Sequence, residues 1–219
     1  MSLQDLYLER IQRCHSTPIT YSFGEHILHL YQNPSLSKRS FIDPKYSLIP
    51  LYLEKIKLSL QGKKILDLYS GIGLHGLICS LCDAKVTFCE EPRLVPLLES
   101  NLKENLPHYT LMSSEQLLSL QEKFDVILIH ELDFCFPSKF TTSKVVHPYE
   151  NIKYEKQCLF ETLTRLSTPQ TKVIATMDTT NKPYFTKKDV KLAQTFSKGP
   201  NALYLIDSGK VSILQISDL

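Results

Sequence analysis

Apolar residues recur with two different periods along this chain, and each change of period marks out an element. Leu3, Leu6, Leu8 and Ile11 fall near helical spacing, which predicts a short helix over residues 2–14. Residues 19–23 and 27–31 alternate instead, around Gly24-Glu25-His26, and predict a β-hairpin. From Asp43, with Pro44 at a first helical position, the run Leu48, Ile49, Leu51, Tyr52, Leu53, Ile56 predicts a helix that ends by Gly62. The apolar run 65–68 reads as a strand, residues from Leu74 as a helix, and 85–89 as a second strand. A helix through Leu94, Leu98 and Leu102 follows, then a short strand at 109–112 and a short helix from Ser114. Residues 124–130 are continuously apolar, as a parallel strand covered on both faces should be. Beyond them the pattern predicts a helix over 150–166, a strand over 172–177, a helix over 187–196 and a closing hairpin of 202–206 with 211–216. Residues 34–39 and 135–150 are polar and punctuated by proline, and read as loops.

Strands alternating with helices, then a terminal hairpin, predict an α/β fold: a doubly wound, mostly parallel sheet with an antiparallel strand at its far edge. Residues 1–60 are expected to form an extension of helix, hairpin and helix on a core of residues 61–219, the whole one globular unit.

Composition narrows the partners. An apolar fraction of 42% and a charged fraction of 22% are ordinary for a soluble protein, and a net charge of +2 gives no strong electrostatic footprint for nucleic acid, without excluding one. No apolar run approaches the ~20 residues that span a bilayer, and the N-terminus lacks the basic and apolar regions of a signal peptide. Cys79 and Cys82 form a C-x-x-C within a predicted helix, without the further ligands that zinc requires, so the six cysteines read as thiols in a reducing compartment. The expectation is a monomer of the cytoplasm, with the nucleus as second choice, acting without membrane, metal or nucleic acid.

The chemistry concentrates in residues 63–91. Here a strand runs into Tyr69-Ser70-Gly71-Ile72-Gly73-Leu74-His75-Gly76, a helix follows, and a second strand ends in Glu90-Glu91. A β-α-β unit with a glycine-rich first turn and an acid about twenty residues on is the pattern that binds an adenine nucleoside. Gly71 and Gly73 let a ligand approach the backbone, and an acid closing the second strand can accept both ribose hydroxyls. Glu90, nearer the strand, is preferred to Glu91. Two features depart from a dinucleotide fingerprint: Tyr69 stands where its first glycine should be, and Asp67 precedes the turn inside the strand.

Asp67 with Gly71 and Gly73, as Asp-x-x-x-Gly-x-Gly, resembles motif I of the seven-strand, Rossmann-like S-adenosylmethionine methyltransferases. Several separated pieces further resemble the methyltransferase-like protein lysine methyltransferases, which modify elongation factors, chaperones and similar proteins. These pieces are residues 21–27, 46–54, 74–78 and 86–105, Glu131-Leu132-Asp133-Phe134 after the fourth strand, and the closing 204–216. The resemblance implies S-adenosyl-L-methionine as cofactor and a lysine-bearing protein as substrate. It implies cofactor contacts from Asp67, Tyr69, Ser70, Gly71, Gly73, Glu90, Ser114 and His130. It makes Glu131 the acid that attracts the substrate lysine, Phe134 the aromatic beside it, and Asp133 the second candidate acid. Ligands of such sheets bind beyond the carboxyl ends of the strands, so Tyr69, Glu90, Met112 and His130 are expected around one crevice.

Departures from that family are the absence of any tryptophan, Phe41 being the nearest aromatic to its usual position, and Tyr69 in place of a small residue. Two other readings stand beside it. One is a methyltransferase of RNA or a small molecule, since Asp-Leu-Tyr-Ser-Gly-Ile-Gly also resembles motif I of RNA uracil-5-methyltransferases, although Cys135 and Cys158 lack a convincing catalytic motif. The other is a non-catalytic module that keeps the fold for protein contacts, against which Gly71, Gly73 and Glu90 argue.

Overall fold

The computed structural model describes residues 18–33, 36, 40, 48–129, 161–178, 201–207 and 210–214. The predicted helices at 2–14 and 187–196 and the 135–150 insertion lie outside the described residues, and the 150–166 helix is described only at 161–166.

A hairpin of β1 (Ile19–Phe23) and β2 (His26–Leu30) comes first and forms its own two-stranded sheet. Helix α1 (Leu48–Ile56) carries Pro50 in its first turn, where a missing N–H costs nothing. Then follow β3 (Lys64–Leu68), α2 (Leu74–Leu81), β4 (Lys85–Glu90), α3 (Val95–Asn105), β5 (Thr110–Ser113), α4 (Ser114–Leu117) and β6 (Phe124–Ile129). Helix α5, described at 161–166, leads into β7 (Ser167–Asp178), and β8 (Asn201–Asp207) with β9 (Lys210–Leu214) closes the chain's described part.

The main sheet has the order β5-β4-β3-β6-β7-β8-β9. Strands β5, β4, β3, β6 and β7 run parallel to one another, β8 runs against β7, and β9 runs against β8. The reversed strand therefore lies one place in from the edge. The chain leaves β3 toward β4 on one side and returns to β6 on the other, which makes the carboxyl end of β3 the switch point where such sheets bind ligands.

Register explains the core. Ile65 pairs with Val86 and Val126, and Asp67 with Phe88 and Leu128, so these residues form two rows on one face. That face is covered by one apolar cluster that includes Ile49 and Leu53 of α1, Leu74, Leu77 and Ile78 of α2, Leu98 and Leu102 of α3, and Leu28 and Leu30 of the hairpin. Leu66, Leu68, Ile127 and Ile129, on the opposite face, are buried as well. Burial on both faces is why these strands read as continuous apolar runs rather than alternating ones.

The fifth parallel strand starts earlier than its apolar run. β7 begins at Ser167 rather than Lys172, pairing Ser167 with Phe124 before a register shift brings Lys172 beside Val126. Thr171 holds the irregular piece: its hydroxyl donates to Phe124 O at 2.5 Å and accepts Thr168 N at 2.7 Å. Side-chain bonds of this kind replace ladder bonds where the register slips.

Helix α3 also seats the hairpin. Asn105 accepts His29 N at 2.9 Å and donates to His29 O at 2.7 Å, while Asn101 accepts Tyr31 N at 2.7 Å and donates to Tyr31 O at 3.1 Å. Two side-chain amides thus pair with β2 and the residue after it as a neighbouring strand would.

Candidate active site

β3 and β4 end together, with Leu68 beside Cys89, and the glycine turn rises from that edge. Its backbone is left-handed at every other residue: Tyr69 (φ 56°), Gly71 (φ 60°) and Gly73 (φ 88°). Gly73 answers a second demand, since a Cβ there would come within 2.7 Å of Leu98 Cδ1. Tyr69 has no glycine's freedom, and a side chain in this conformation costs about 1–2 kcal/mol. Strain of that kind gathers at functional sites, and here it falls on the residue that departs from the dinucleotide fingerprint.

Ser70 ties the turn to the sheet. Its N–H donates to Cys89 O at 3.0 Å, its hydroxyl donates to Asp67 O at 2.7 Å, and the same hydroxyl accepts Cys89 N at 3.2 Å. The side chain is 2% exposed, so it braces the loop from beneath rather than facing a ligand.

Asp67 lies one layer lower, in the row between Phe88 and Leu128. Burial among apolar neighbours pushes its carboxyl up to about 7, against the pull of the Gly76 N–H and the Ser70 hydroxyl, and the nearby Glu90 adds to the rise. Its Oδ2 accepts Gly76 N at 3.1 Å. Gly76 makes that bond possible, because a Cβ there would collide with the Phe88 ring and crowd Asp67. Asp67 Oδ1 is buried without a hydrogen-bond partner among the described residues.

Glu90 is fully buried at the end of β4. One carboxylate oxygen accepts Gly71 N at 2.6 Å and the other accepts Glu91 N at 2.7 Å. Glu91 is partly buried and pairs with Arg93 at 2.9 Å. The preference for Glu90 over Glu91 thus falls on the acid that touches the glycine turn.

β5 brings Met112 beside Cys89 and Ser113 beside Glu90. Ser113, not Ser114, caps α4: its side chain accepts the Gln116 N–H while Gln116 Oε1 accepts Ser113 N at 2.8 Å. Ser114 follows at the same edge, half-buried, and Glu115 is exposed. β6 ends with Ile129 beside Leu68, so the three strand ends are level. The edge therefore collects Asp67, Tyr69, Ser70, Gly71, Gly73, Glu90 and Ser114. His130, Glu131, Asp133 and Phe134, which follow β6 in sequence, lie outside the described residues. The sequence reading missed Asn101, which is fully buried and donates to Ile72 O at 2.9 Å inside the glycine turn. Its partners lie far from it in sequence, so no local pattern marks it.

Among the described residues no helix is long and apolar enough to cross a membrane. The fold is similar to that of a T. thermophilus 16S rRNA methyltransferase (RsmC), solved with AdoMet and guanosine, at a TM-score of 0.60 and 16% identity over 86% of this chain and 49% of that one. A ribosomal protein L11 methylase from Lactobacillus delbrueckii subsp. bulgaricus gives a TM-score of 0.52 at 16% identity, over 76% of each chain. At such identities the likeness is one of fold. In sequence, the chain is 29% identical over 98 residues to the protein N-lysine methyltransferase METTL21A of Mus musculus, covering 44% of this chain and 45% of that protein. The corresponding protein of Danio rerio is 26% identical over 101 residues, 46% of each. The chain thus matches about half the length of these curated relatives. Residues 45–189, well over half of the chain, match the sequence profile of the lysine methyltransferase family, and the chain belongs to that family.

Proposed function

We propose that this chain methylates a lysine side chain of a protein. The observation that carries the reading is the extent of the family match: residues 45–189 include both the glycine turn and Glu131, Asp133 and Phe134, which follow the β6 edge in sequence. The curated relatives named as protein N-lysine methyltransferases support the same choice.

The donor of the family is S-adenosylmethionine, which when bound offers a sulfonium methyl open to in-line attack by an amine. The residues at the strand ends suit it. The left-handed glycines, Gly71 and Gly73, place no Cβ at two positions of the turn. Glu90 stands at the end of β4 as acceptor for the ribose hydroxyls, and Asp67 Oδ1 is an acceptor left over for the methionine end. Ser70 fixes the turn, and Tyr69, Ser114 and His130 complete the cofactor's surroundings.

A lysine at neutral pH is an ammonium and has no lone pair to attack with. In this reading the Glu131 carboxylate draws the ammonium to the edge, with Asp133 as second acid, and Phe134 lines the channel. A desolvated, aromatic-lined channel lowers the lysine pKa so that it releases its proton, and correct positioning then supplies most of the rate. Residues 1–60 act as an extension of the 61–219 core, and the enzyme works as a monomer.

The test is transfer of labelled methyl from S-adenosylmethionine into cell extract. A labelled protein band that survives RNase, and disappears with Glu131→Ala while cofactor binding persists, is the expected result. Label confined to RNA, or none in protein despite intact cofactor binding, would overturn the lysine reading.

A further inference from the structure

Asn101 joins two parts of the molecule that are far apart in sequence. Its amide makes three hydrogen bonds while fully buried: Oδ1 accepts Tyr31 N at 2.7 Å, and Nδ2 donates to Tyr31 O at 3.1 Å and to Ile72 O at 2.9 Å. Ile72 lies between the two left-handed glycines, so this carbonyl belongs to the turn itself.

The amide can sit only one way round. Tyr31 offers one N–H and one C=O, and the oxygen must face the N–H while the nitrogen faces the C=O. Turned over, Oδ1 would confront two carbonyls and Nδ2 an N–H. The hairpin backbone therefore fixes which end of Asn101 points at the turn, and the second Nδ2 proton is left aimed at Ile72 O.

From this arrangement the geometry points to Asn101 as a positioning residue for the cofactor: it holds the crest of the glycine turn, with the hairpin setting its polarity. Glu90 holds the turn from one side through Gly71 N, and Asn101 holds it from the other through Ile72 O, one residue later. With both in place the path of residues 71–73, left-handed at its two glycines, is defined before any ligand arrives, and binding does not have to order it. The inference rests on the turn being the cofactor's seat.

Asn105 is the control. It makes the same paired contact with His29 and bonds Asn101 O at 2.7 Å, and these bonds run to the hairpin and to its own helix rather than to the turn. A role confined to seating the hairpin would leave the two asparagines alike in their effect on cofactor affinity.

The experiment is calorimetric titration of the full chain with S-adenosylhomocysteine, alongside thermal unfolding, for wild type, Asn101→Asp and Asn105→Ala. In Asn101→Asp one oxygen still accepts Tyr31 N, while the other faces the carbonyls of Tyr31 and Ile72 with no proton to give. Both variants should lower Tm. Asn101→Asp should raise the Kd tenfold or more, and Asn105→Ala should leave it within twofold. Equal Kd values for wild type and Asn101→Asp, or equal weakening by both variants, would overturn the role. Should Asn101→Asp fail to fold, Asn101→Ser keeps one donor and no charge; weakening of at least threefold supports the role, and an unchanged Kd overturns it. If wild type itself binds no S-adenosylhomocysteine, the seat is wrong and the inference falls with it, an outcome distinct from a wild type that binds and a variant that binds equally.

Discussion

The Glu90 carboxylate accepts the N–H of Gly71 at 2.6 Å, joining the end of β4 to the first left-handed glycine of the turn. The other oxygen is engaged as well, by Glu91 N at 2.7 Å, so the side chain receives a backbone donor at each end. An anion is suited to that, because both of its ends accept.

Glu90→Gln keeps the shape but must set an NH2 group against one of the two donors. Leaving a buried donor unmet costs about 1–3 kcal/mol. Urea unfolding should show a loss in that range, and titration with S-adenosylhomocysteine should show at least tenfold weaker binding. Unchanged stability would mean that the two backbone bonds contribute nothing.

Asp67 should make stability depend on pH in the sense opposite to an ion-paired carboxylate. Its folded-state value of about 7 lies above its ordinary 3.8, so between those values the folded protein keeps a proton that the unfolded chain has lost. Stability is then greatest, as far as this group is concerned, below about pH 4, falls as pH rises toward 7, and is flat above. Asp67→Asn removes the titration. The variant's stability relative to wild type should rise between pH 4.5 and 7.5 in urea midpoints, by several kcal/mol at most given about 1.4 kcal/mol per pH unit. A difference that stays constant with pH would show that Asp67 is ionised throughout.

Two glycines should respond to alanine for different reasons. Gly62 is left-handed at φ 71° with nothing within 4 Å of an added Cβ, so Gly62→Ala should cost only backbone strain, about 1 kcal/mol. At Gly76 the new methyl would strike the Phe88 ring and the Asp67 carboxyl. Overpacking of this kind costs typically about 1–3 kcal/mol, and with a buried carboxyl displaced the loss should reach the top of that range. Thermal unfolding of the pair distinguishes them, and equal shifts would mean that α2 can move off β4.

Thr171→Val replaces a hydroxyl by a methyl of similar shape at a side chain that is 4% exposed. Phe124 O and Thr168 N would both lose a partner. The buried Phe124 O left unmet costs about 1–3 kcal/mol, whereas Thr168, an exposed residue, can turn its N–H to water. A loss below about 0.5 kcal/mol in chemical unfolding, the smallest net value of one hydrogen bond, would indicate that water takes the hydroxyl's place.

Much of this molecule was legible in order. The parallel strands announce themselves because both faces are covered, and the glycine turn because left-handed backbone needs residues without a Cβ. Glu90 was legible by its distance from the turn. The start of β7 was not, because Ser167 to Thr171 are held by hydroxyl bonds at a register shift and have no apolar period to read. Nor was the capping of α4 by Ser113, since Ser113 and Ser114 are equivalent in sequence and differ only in backbone conformation. Asn101 was hidden for a third reason: its partners Tyr31 and Ile72 are 70 and 29 residues away, a pairing no local window contains.

The seam between α3 and the hairpin works as a vernier. Four helical residues advance about 6 Å, and two strand residues about 6.8 Å. The marks on the two scales nearly coincide at Asn101 with Tyr31 and at Asn105 with His29, each pairing both backbone groups of its partner. Each step leaves a mismatch of roughly 0.8 Å between the two scales. The bonds reach only backbone groups, which recur every two residues of a strand, so they set the spacing of the seam, while Leu28 and Leu30, buried in the core, choose which residues meet it.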